Sequence, residues 1–166
     1  MVQRTGGAFA SGSGRAGLSL AALCHVLPER DPHPSLFEVA QFVLGFLDEP
    51  EIWPALMVRF ELALLGELGF GLDLSACAAT GVTEGLVWVS PRTGRAVSRE
   101  AGLPYADRLL ALPPFLAGKT GATTSADVAA GFALTGHFLA TRVYGPAGQE
   151  LPALRARMIE LALGPG

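Results

Sequence analysis

Positive charge is scarce in this chain of 166 residues. Twelve lysines and arginines stand against fifteen aspartates and glutamates, which gives a formal net charge of -3 and a sequence pI near 5.6. A chain with this balance has no overall positive field that would gather a phosphate backbone. The composition therefore excludes a strongly basic, free-standing nucleic-acid binder.

Cysteine is equally scarce. The two cysteines, Cys24 and Cys77, lie far apart in the sequence, whereas a small secreted domain stabilised by disulfides uses more cysteines in a shorter chain. Both are therefore predicted to be reduced thiols in a cytoplasmic protein. The three histidines, His25, His33 and His137, share no spacing that is typical of metal ligands.

Long hydrophobic runs are also missing. The apolar runs at 17–27, 36–47 and 128–141 are shorter than the roughly 20 residues that a bilayer requires, so no membrane span is expected. Half of the residues are nevertheless hydrophobic and the mean hydropathy is +0.40, which excludes a disordered chain. At this length, the composition predicts one compact domain with a sizeable core.

What the sequence does contain is helical periodicity. Residues 1–17 are rich in glycine and serine and are predicted to form a flexible tail, followed by a helical domain over residues 18–166. Helices are expected at about 18–27, 34–47, 52–68, 104–112, 125–144 and 152–163. Either Ser125 or Asp127 is expected to cap the long helix that ends before Gly145.

The helical spacing also assigns faces to two of these helices. The third helix carries one apolar stripe, Leu56, Phe60, Leu64 and Leu68, and the last helix is expected to turn Leu154, Met158, Leu161 and Ala162 inward. The residues expected on more polar faces are Arg59, Glu61 and Glu67 in the third helix, and Arg155, Arg157 and Glu160 in the last.

A different composition interrupts the helices between residues 73 and 101. The segment LVWVS at 86–90 has the β-branched and aromatic content of a strand, and RAVS at 95–98 is placed to return beside it across PRTG. Residues 73–101 are therefore predicted to form an inserted β-hairpin. The predicted fold class is mainly α, a helical bundle with one small hairpin.

No motif predicts a catalytic residue or a cofactor. The segment GKT at 118–120 lacks the earlier glycine of a phosphate-binding loop, because that position is Pro113. The adjacent Cys24 and His25 suggest a nucleophile and its base, and a minor hydrolase stays open as an alternative. The sequence offers no third group that would orient the histidine.

Two segments carry a resemblance to a known family. These are RFELALLGELGFGLDLSAC, from Arg59 to Cys77, and VSREAGLPYADRLLALPPFL, from Val97 to Leu116. From about Leu18 onward the chain resembles the C-terminal domain of RecO, a bacterial recombination mediator. RecO normally begins with a DNA-binding OB fold. Nothing in this sequence resembles that fold, so the chain is expected to consist of the helical domain alone.

The resemblance bears directly on the hairpin. Many RecO relatives hold it with four cysteine ligands to zinc, and the corresponding positions here are Cys77, Thr80, Ser98 and Ala101. Tetrahedral zinc sites use thiolate or imidazole ligands, and one cysteine does not supply such a set. We therefore expect a degenerate, zinc-ribbon-like hairpin that lacks the metal and is held by packing.

The resemblance also implies a partner. In the RecO family, the helical domain is understood to receive the acidic, hydrophobic C-terminal tail of single-strand-binding protein. Such a peptide needs an apolar pocket for its side chains and a cation for its carboxylate. Arg59 is the candidate cation, and Phe60, Leu64 and Leu68 are the candidate wall of the pocket. Arg59, Arg99 and Arg108 are a further candidate, for a local basic rim.

The function that the resemblance implies is non-enzymatic. The full-length family protein helps to exchange single-strand-binding protein for RecA on single-stranded DNA, acts with RecR and anneals complementary strands. Without the OB fold, DNA binding is expected to be weak, with a dissociation constant of about 10⁻⁴ M or weaker. The alternative is an orphan helical interaction module, derived from a truncated or mis-assigned RecO-like reading frame.

Overall fold

The computed structural model describes residues 12–28 and 31–164 of the chain. The α-helices are α1 (Gly12–Cys24), α2 (Pro34–Gly45), α3 (Trp53–Glu67), α4 (Arg99–Gly102), α5 (Ser125–Phe138) and α6 (Ala153–Leu163). The strands are β1 (Leu86–Val89), β2 (Ala96–Ser98) and β3 (Leu110–Ala111). The 3₁₀-helices are Leu103–Arg108, Pro114–Leu116 and Gly145–Ala147, and a π-helix spans Leu139–Tyr144. The predicted fold class, a helical bundle with an inserted hairpin, is confirmed.

Helix α3 is at the centre of the bundle. It packs against α2 on one side and α5 on the other, and α6 closes the bundle by packing against α1 and α5. Phe60 and Leu64 of α3, Phe138 of α5 and Met158 of α6 have no exposed surface. The apolar periodicity of the helices therefore converges on one core, as the sequence predicted for Met158.

Helix α1 begins earlier than predicted. Residues 1–11 of the predicted tail lie outside the described residues, but residues 12–17 form the first turns of α1. Ala16 is fully buried, and a Cβ built on Gly17 would lie 3.5 Å from Leu47 Cδ1. Small side chains allow this part of α1 to approach the bundle closely, so packing outweighs the low helix propensity of glycine and serine.

Two charged residues that were predicted on polar faces are buried in the core. Glu61 of α3 is fully buried and Arg155 of α6 is 6% exposed. Arg155 Nε donates to Glu61 Oε2 at 2.6 Å, and its Nη2 donates to Glu61 Oε1 at 3.0 Å. The prediction that both lie on more polar faces was wrong: they are buried together, and each charge is compensated by the other across the bundle.

Helix α5 completes this ion pair. The hydroxyl of Thr135 donates to Glu61 Oε1 at 2.8 Å, and Arg155 Nη2 donates to the backbone carbonyl of Phe132 at 2.9 Å. A Cβ on Gly136 would lie 3.0 Å from each terminal nitrogen of Arg155, so the missing side chain leaves room for the guanidinium. The pair therefore joins α3, α5 and α6.

The prediction that Leu161 of α6 turns inward was also wrong, because this residue is 39% exposed.

The predicted hairpin is confirmed, and a third strand extends it. Strands β1 and β2 are antiparallel, with Val89 opposite Ala96. Strand β3 pairs with the other edge of β1, although a helix was predicted there. Ser98 caps the short helix α4, and a 3₁₀-helix follows it. At Leu109 the chain becomes extended, so the predicted helix does not continue. Residues 110–111 then pair with the free edge of β1. This pairing is long-range, so local periodicity does not indicate it.

The long helix after residue 124 ends in an unusual way. Thr124, one residue before the expected cap, forms a capping box with Asp127: each side chain accepts the backbone N–H of the other residue. After Phe138 the helix widens into the π-helix, which ends where Gly145 N–H bonds Ala140 O. A Cβ on Gly145 would lie 2.6 Å from that oxygen, so this closure requires glycine.

Within the described residues, none of the helices combines the length and the apolar character needed to cross a bilayer.

Candidate functional site

Arg59 lies on the surface of α3, where the polar-face prediction placed it. Its side chain is exposed, its Nη2 donates to the backbone carbonyl of Phe115 at 2.8 Å, and its guanidinium carbon is 5.7 Å from the centroid of the Phe115 ring. Arginine carries five N–H donors, so one hydrogen bond of this kind leaves others directed at solvent. The structure thus presents a cation whose position is fixed.

The other three residues of the predicted peptide site are not beside Arg59 on that surface. Phe60 and Leu64 are fully buried in the core, and Leu68 is half-buried at the end of α3. Successive residues of a helix point about 100° apart, so Phe60 faces the bundle when Arg59 faces solvent. A partner that contacts Arg59 therefore cannot also contact Phe60 or Leu64 in this conformation.

Half-buried residues of small or moderate size flank Arg59 instead. Ala55, Leu62 and Ala63 stand four or three residues away on the same helix, and each is partly exposed. Residues at this spacing lie on one face of a helix. The apolar surface next to the cation is therefore shallow and lies along α3.

The four positions that correspond to zinc ligands are gathered at one point of the hairpin. The backbone N–H of Ser98 donates to Cys77 Sγ at 3.3 Å, and Thr80 also bonds the sulfur. The N–H of Ala101 donates to Ser98 Oγ at 3.3 Å. One thiol, two hydroxyls and an alanine do not fit tetrahedral zinc. The described residues also include no cluster of three or more His, Cys, Asp or Glu side chains that would hold a metal ion.

The surroundings of Cys77 favour its thiolate. The residue is 1% exposed, and burial by itself raises the pKa of the thiol. Hydrogen bonds donated to the sulfur by Thr80 and Ser98 outweigh this and lower the pKa of Cys77 to about 6. The hydrogen bonds therefore stabilise a charge at a position where relatives are expected to place a metal-bound sulfur.

A cavity of about 640 Å³ lies beside this cluster, and no sequence pattern indicated it. Its walls are residues 80–85 of the loop before β1 together with Ser98, Arg99 and Glu100. Arg99, one of the residues proposed for a basic rim, therefore faces a cavity that it shares with an acidic neighbour. Arg59 lies in α3, whereas Arg99 and Arg108 lie in α4 and the 3₁₀-helix that follows it, and the basic rim stays a prediction.

An apolar cavity of about 510 Å³ separates α1 from the start of α2. Cys24, Leu27, His33, Leu36 and Phe37 are among its lining residues. His33 Nδ1 is 2.7 Å from Glu67 Oε1, whereas its Nε2 is buried without a hydrogen-bond partner in the described part of the chain. A carboxylate only accepts, so Nδ1 carries the proton.

The Cys24–His25 alternative gains no support from this geometry. The histidine that shares a cavity with Cys24 is His33, not the adjacent His25. Burial raises the pKa of the Cys24 thiol, which favours the protonated, weakly nucleophilic form. The arrangement is that of a small hydrophobic residue at the wall of an apolar cavity.

Comparison with known proteins identifies relatives over most of the chain. The family model described as "Recombination protein O C terminal" matches residues 16–150, which extend from within α1 to just beyond the 3₁₀-helix Gly145–Ala147. Helix α6, which contributes Arg155, lies beyond the matched residues.

Curated relatives are similar to nearly the whole chain. A protein of Phenylobacterium zucineum named "DNA repair protein RecO" is 58% identical over 147 residues, covering 87% of this chain and 60% of that protein. A protein of the same name in Methylorubrum populi is 59% identical over 151 residues, which cover 87% of this chain and 61% of that protein. Another in Methylobacterium nodulans is 60% identical over 149 residues, which cover 87% of this chain and 60% of that protein. The chain therefore spans about three fifths of the length of these relatives. No solved structure matches the chain.

Proposed function

Because this chain belongs to the RecO family, whose C-terminal part it matches, we propose that it acts in recombinational DNA repair as a non-enzymatic binding domain. The observation that carries the proposal is the extent of the match, residues 16–150, which includes α2, α3 and α5 of the bundle and the inserted hairpin. The proposal extends to action with RecR, to the loading of RecA on single-stranded DNA and to a bacterial cytoplasmic setting. These three parts rest on family membership.

The proposed ligand of the bundle is the acidic, Phe-terminated tail of single-strand-binding protein. Arg59 supports this assignment because it is exposed and is held against Phe115. A positioned guanidinium binds a carboxylate with less loss of side-chain freedom than a mobile one. We assign the carboxylate contact to Arg59, and the apolar contacts to the shallow face of Ala55, Leu62 and Ala63.

The role of the other predicted residues changes accordingly. Phe60 and Leu64 support the site from within the core, because their burial fixes the rotation of α3 and hence the direction of Arg59. Leu68, which is half-buried at the end of the helix, stays a contact residue in the proposal.

The test is fluorescence anisotropy with a labelled peptide that has several acidic residues and a C-terminal phenylalanine. A charge-assisted hydrogen bond contributes roughly 1.5–3 kcal/mol, so Arg59→Ala should weaken binding by about 10- to 100-fold. Arg157→Ala is the matched control, because Arg157 is an exposed arginine on α6. Circular dichroism should show that both variants keep the helical fold.

Two results would change the proposal. If Arg59→Ala and Arg157→Ala bind the peptide equally well, Arg59 is not in the site. If the unmodified chain does not bind the peptide at all, the chain is better explained as an orphan helical interaction module.

A further inference from the structure

Large apolar side chains lie on the outward face of α2. One side of this helix is buried against the bundle, whereas Phe37 is 64% exposed, Phe42 is 58% exposed and Leu44 is about half exposed. The rings of Phe42 and Phe46, four residues apart, lie with their centroids at 5.0 Å and form one apolar surface. Exposed apolar side chains that are gathered on one element are typical of an interaction site.

The apolar cavity between α1 and the start of α2 continues this face. Phe37 forms part of the cavity wall, together with Cys24 and Leu27 from the other side. At about 510 Å³ the cavity lies within the size range of ligand pockets, so it has room for an aromatic side chain. The exposed face and the cavity therefore meet at Phe37.

His33 adds one buried polar atom to the lining of the cavity. Its Nδ1 is 2.7 Å from Glu67 Oε1, which fixes the ring, and its Nε2 is buried without a hydrogen-bond partner among the described residues. In the neutral ring this Nε2 is an acceptor, so a ligand with an N–H or O–H group would satisfy it. A tryptophan side chain fits best, because its large indole is apolar and its one polar group only donates.

The charge around this face is negative. Residues 31–58 contain no lysine or arginine. The carboxylates of the same segment are all exposed and belong to Asp31, Glu38, Asp48, Glu49 and Glu51. Glu38 lies next to Phe42 on the surface of α2, because residues four positions apart are neighbours on a helix. An acidic surface disfavours nucleic acids and acidic peptides and favours a basic partner.

We propose that the outward face of α2 and the adjoining cavity bind a basic, amphipathic segment of a partner protein. A tryptophan of the partner enters the cavity and donates to His33 Nε2, and further apolar side chains pack on Phe37 and Phe42. Lysines or arginines of the segment lie near Glu38 and the other carboxylates, and this charge complementarity selects the partner. The site is separate from Arg59, whose proposed ligand is acidic, so either proposal can fail without the other.

The experiment titrates a labelled synthetic peptide with the full chain and follows fluorescence anisotropy. The peptide is designed as an amphipathic helix with lysines on one side and leucines and one tryptophan on the other. Phe37→Ala/Phe42→Ala removes the two aromatic contacts and should weaken binding by about 30-fold or more. Leu103→Ala/Tyr105→Ala is the matched control, because it removes a similarly exposed pair outside α2. Thermal unfolding should show that the two double variants are equally stable.

Two smaller effects test the charge and the hydrogen bond separately. Glu38→Gln should weaken binding by about 2- to 5-fold at low salt and by less at high salt, whereas Glu150→Gln, at another exposed position, should not. A peptide with benzothienylalanine in place of tryptophan keeps the shape but lacks the N–H, and should bind about 2- to 10-fold more weakly. With His33→Phe, which removes the acceptor, the two peptides should bind equally.

Several results would overturn the proposal. Equal losses in the two double variants would place the peptide elsewhere, and so would no binding by the unmodified chain at low salt. A peptide with glutamates in place of its lysines that binds equally well would show that charge does not select the partner. If sedimentation shows a dimer of the unmodified chain that Phe37→Ala/Phe42→Ala dissociates, the face instead belongs to an interface between two copies of this chain.

Discussion

In the helical bundle a buried carboxylate, Glu61, is paired with a buried guanidinium, Arg155, whereas in the hairpin a buried sulfur, Cys77, is surrounded by neutral donors. In the bundle each charge compensates the other, and Thr135 satisfies a further lone pair. In the hairpin, hydroxyl and amide groups stand where relatives are expected to have further metal ligands. Both regions keep a polar group in an apolar interior, but only the bundle depends on a second charge.

The largest expected effect comes from breaking the ion pair from one side. Arg155→Ala leaves Glu61 buried without its partner, which should lower the free energy of unfolding by about 3–5 kcal/mol. Urea denaturation measures this change. Arg157→Ala, at an exposed position of the same helix, should stay within about 0.5 kcal/mol of the unmodified chain.

Removing both charges should cost less stability than removing one. Glu61→Leu/Arg155→Met replaces both charges by apolar side chains of similar size, and should recover most of the stability lost by Arg155→Ala. If Arg155→Ala is no more destabilising than Arg157→Ala, the ion pair does not hold the bundle together.

An intermediate effect is expected from restoring metal ligands to the hairpin. Thr80→Cys/Ser98→Cys/Ala101→Cys places three thiols around Cys77, at positions that already lie close together. This variant should bind one zinc ion, and free zinc at 100 times its dissociation constant would stabilise it by about 2.7 kcal/mol. Elemental analysis and thermal unfolding with and without a chelator measure the two results.

The unmodified chain is the reference for that experiment. It should contain no stoichiometric zinc, and its melting temperature should not respond to a chelator. Stoichiometric zinc that is lost in Cys77→Ser would contradict this expectation. A folded triple-cysteine variant that takes up no zinc would show that the hairpin has lost the geometry of a metal site.

At pH 7 the smallest expected effect comes from the thiolate of Cys77, whose contribution to the stability of the folded chain depends on pH. Cys77 has a pKa of about 6 in the folded chain, and an unfolded thiol has a pKa of about 8.5. Between these values the unfolded chain binds more protons, so Cys77 should make the folded state more stable as the pH rises through this range. Below about pH 6 this contribution is lost.

Cys77→Ser isolates that contribution. The difference in melting temperature between the unmodified chain and this variant should grow from about pH 6 to about pH 8.5 and then level off. The difference also removes the opposite influence of Cys24, whose pKa is raised by burial and which both proteins contain. A difference that does not change with pH would mean that Cys77 stays protonated in the folded chain.

Local sequence patterns were sufficient for most of the fold. The stripe of α3 identified Phe60 and Leu64 as residues of one face, and the strand composition of residues 86–90 and 95–98 located the hairpin. These features depend on neighbours a few residues away. Strand β3 depends instead on the free edge of β1, more than twenty residues earlier in the chain, and local periodicity assigned it to a helix.

Charged residues were assigned less well, for the same physical reason. Glu61 and Arg155 look like surface residues until α3 and α6 are packed together, because each is buried only in the presence of the other. Arg59 was correctly placed on a polar face. The resemblance to the family identified Cys77, Thr80 and Ser98 as corresponding to one ligand set. The hydrogen bond from Arg142 to the backbone carbonyl of Arg92, at the turn between β1 and β2, depends on the π-helix, which no residue pattern predicted.

The distance along the chain between Glu61 and Arg155 has a consequence for biosynthesis. The two residues are 94 positions apart, and α6 is the last helix of the described chain to leave the ribosome. Until then, α3 holds a carboxylate whose partner has not yet been made, and a dry core around it is unfavourable. We therefore expect the bundle to stay loosely packed during translation and to close only when α6 arrives, so that nascent chains stalled before residue 155 remain sensitive to protease.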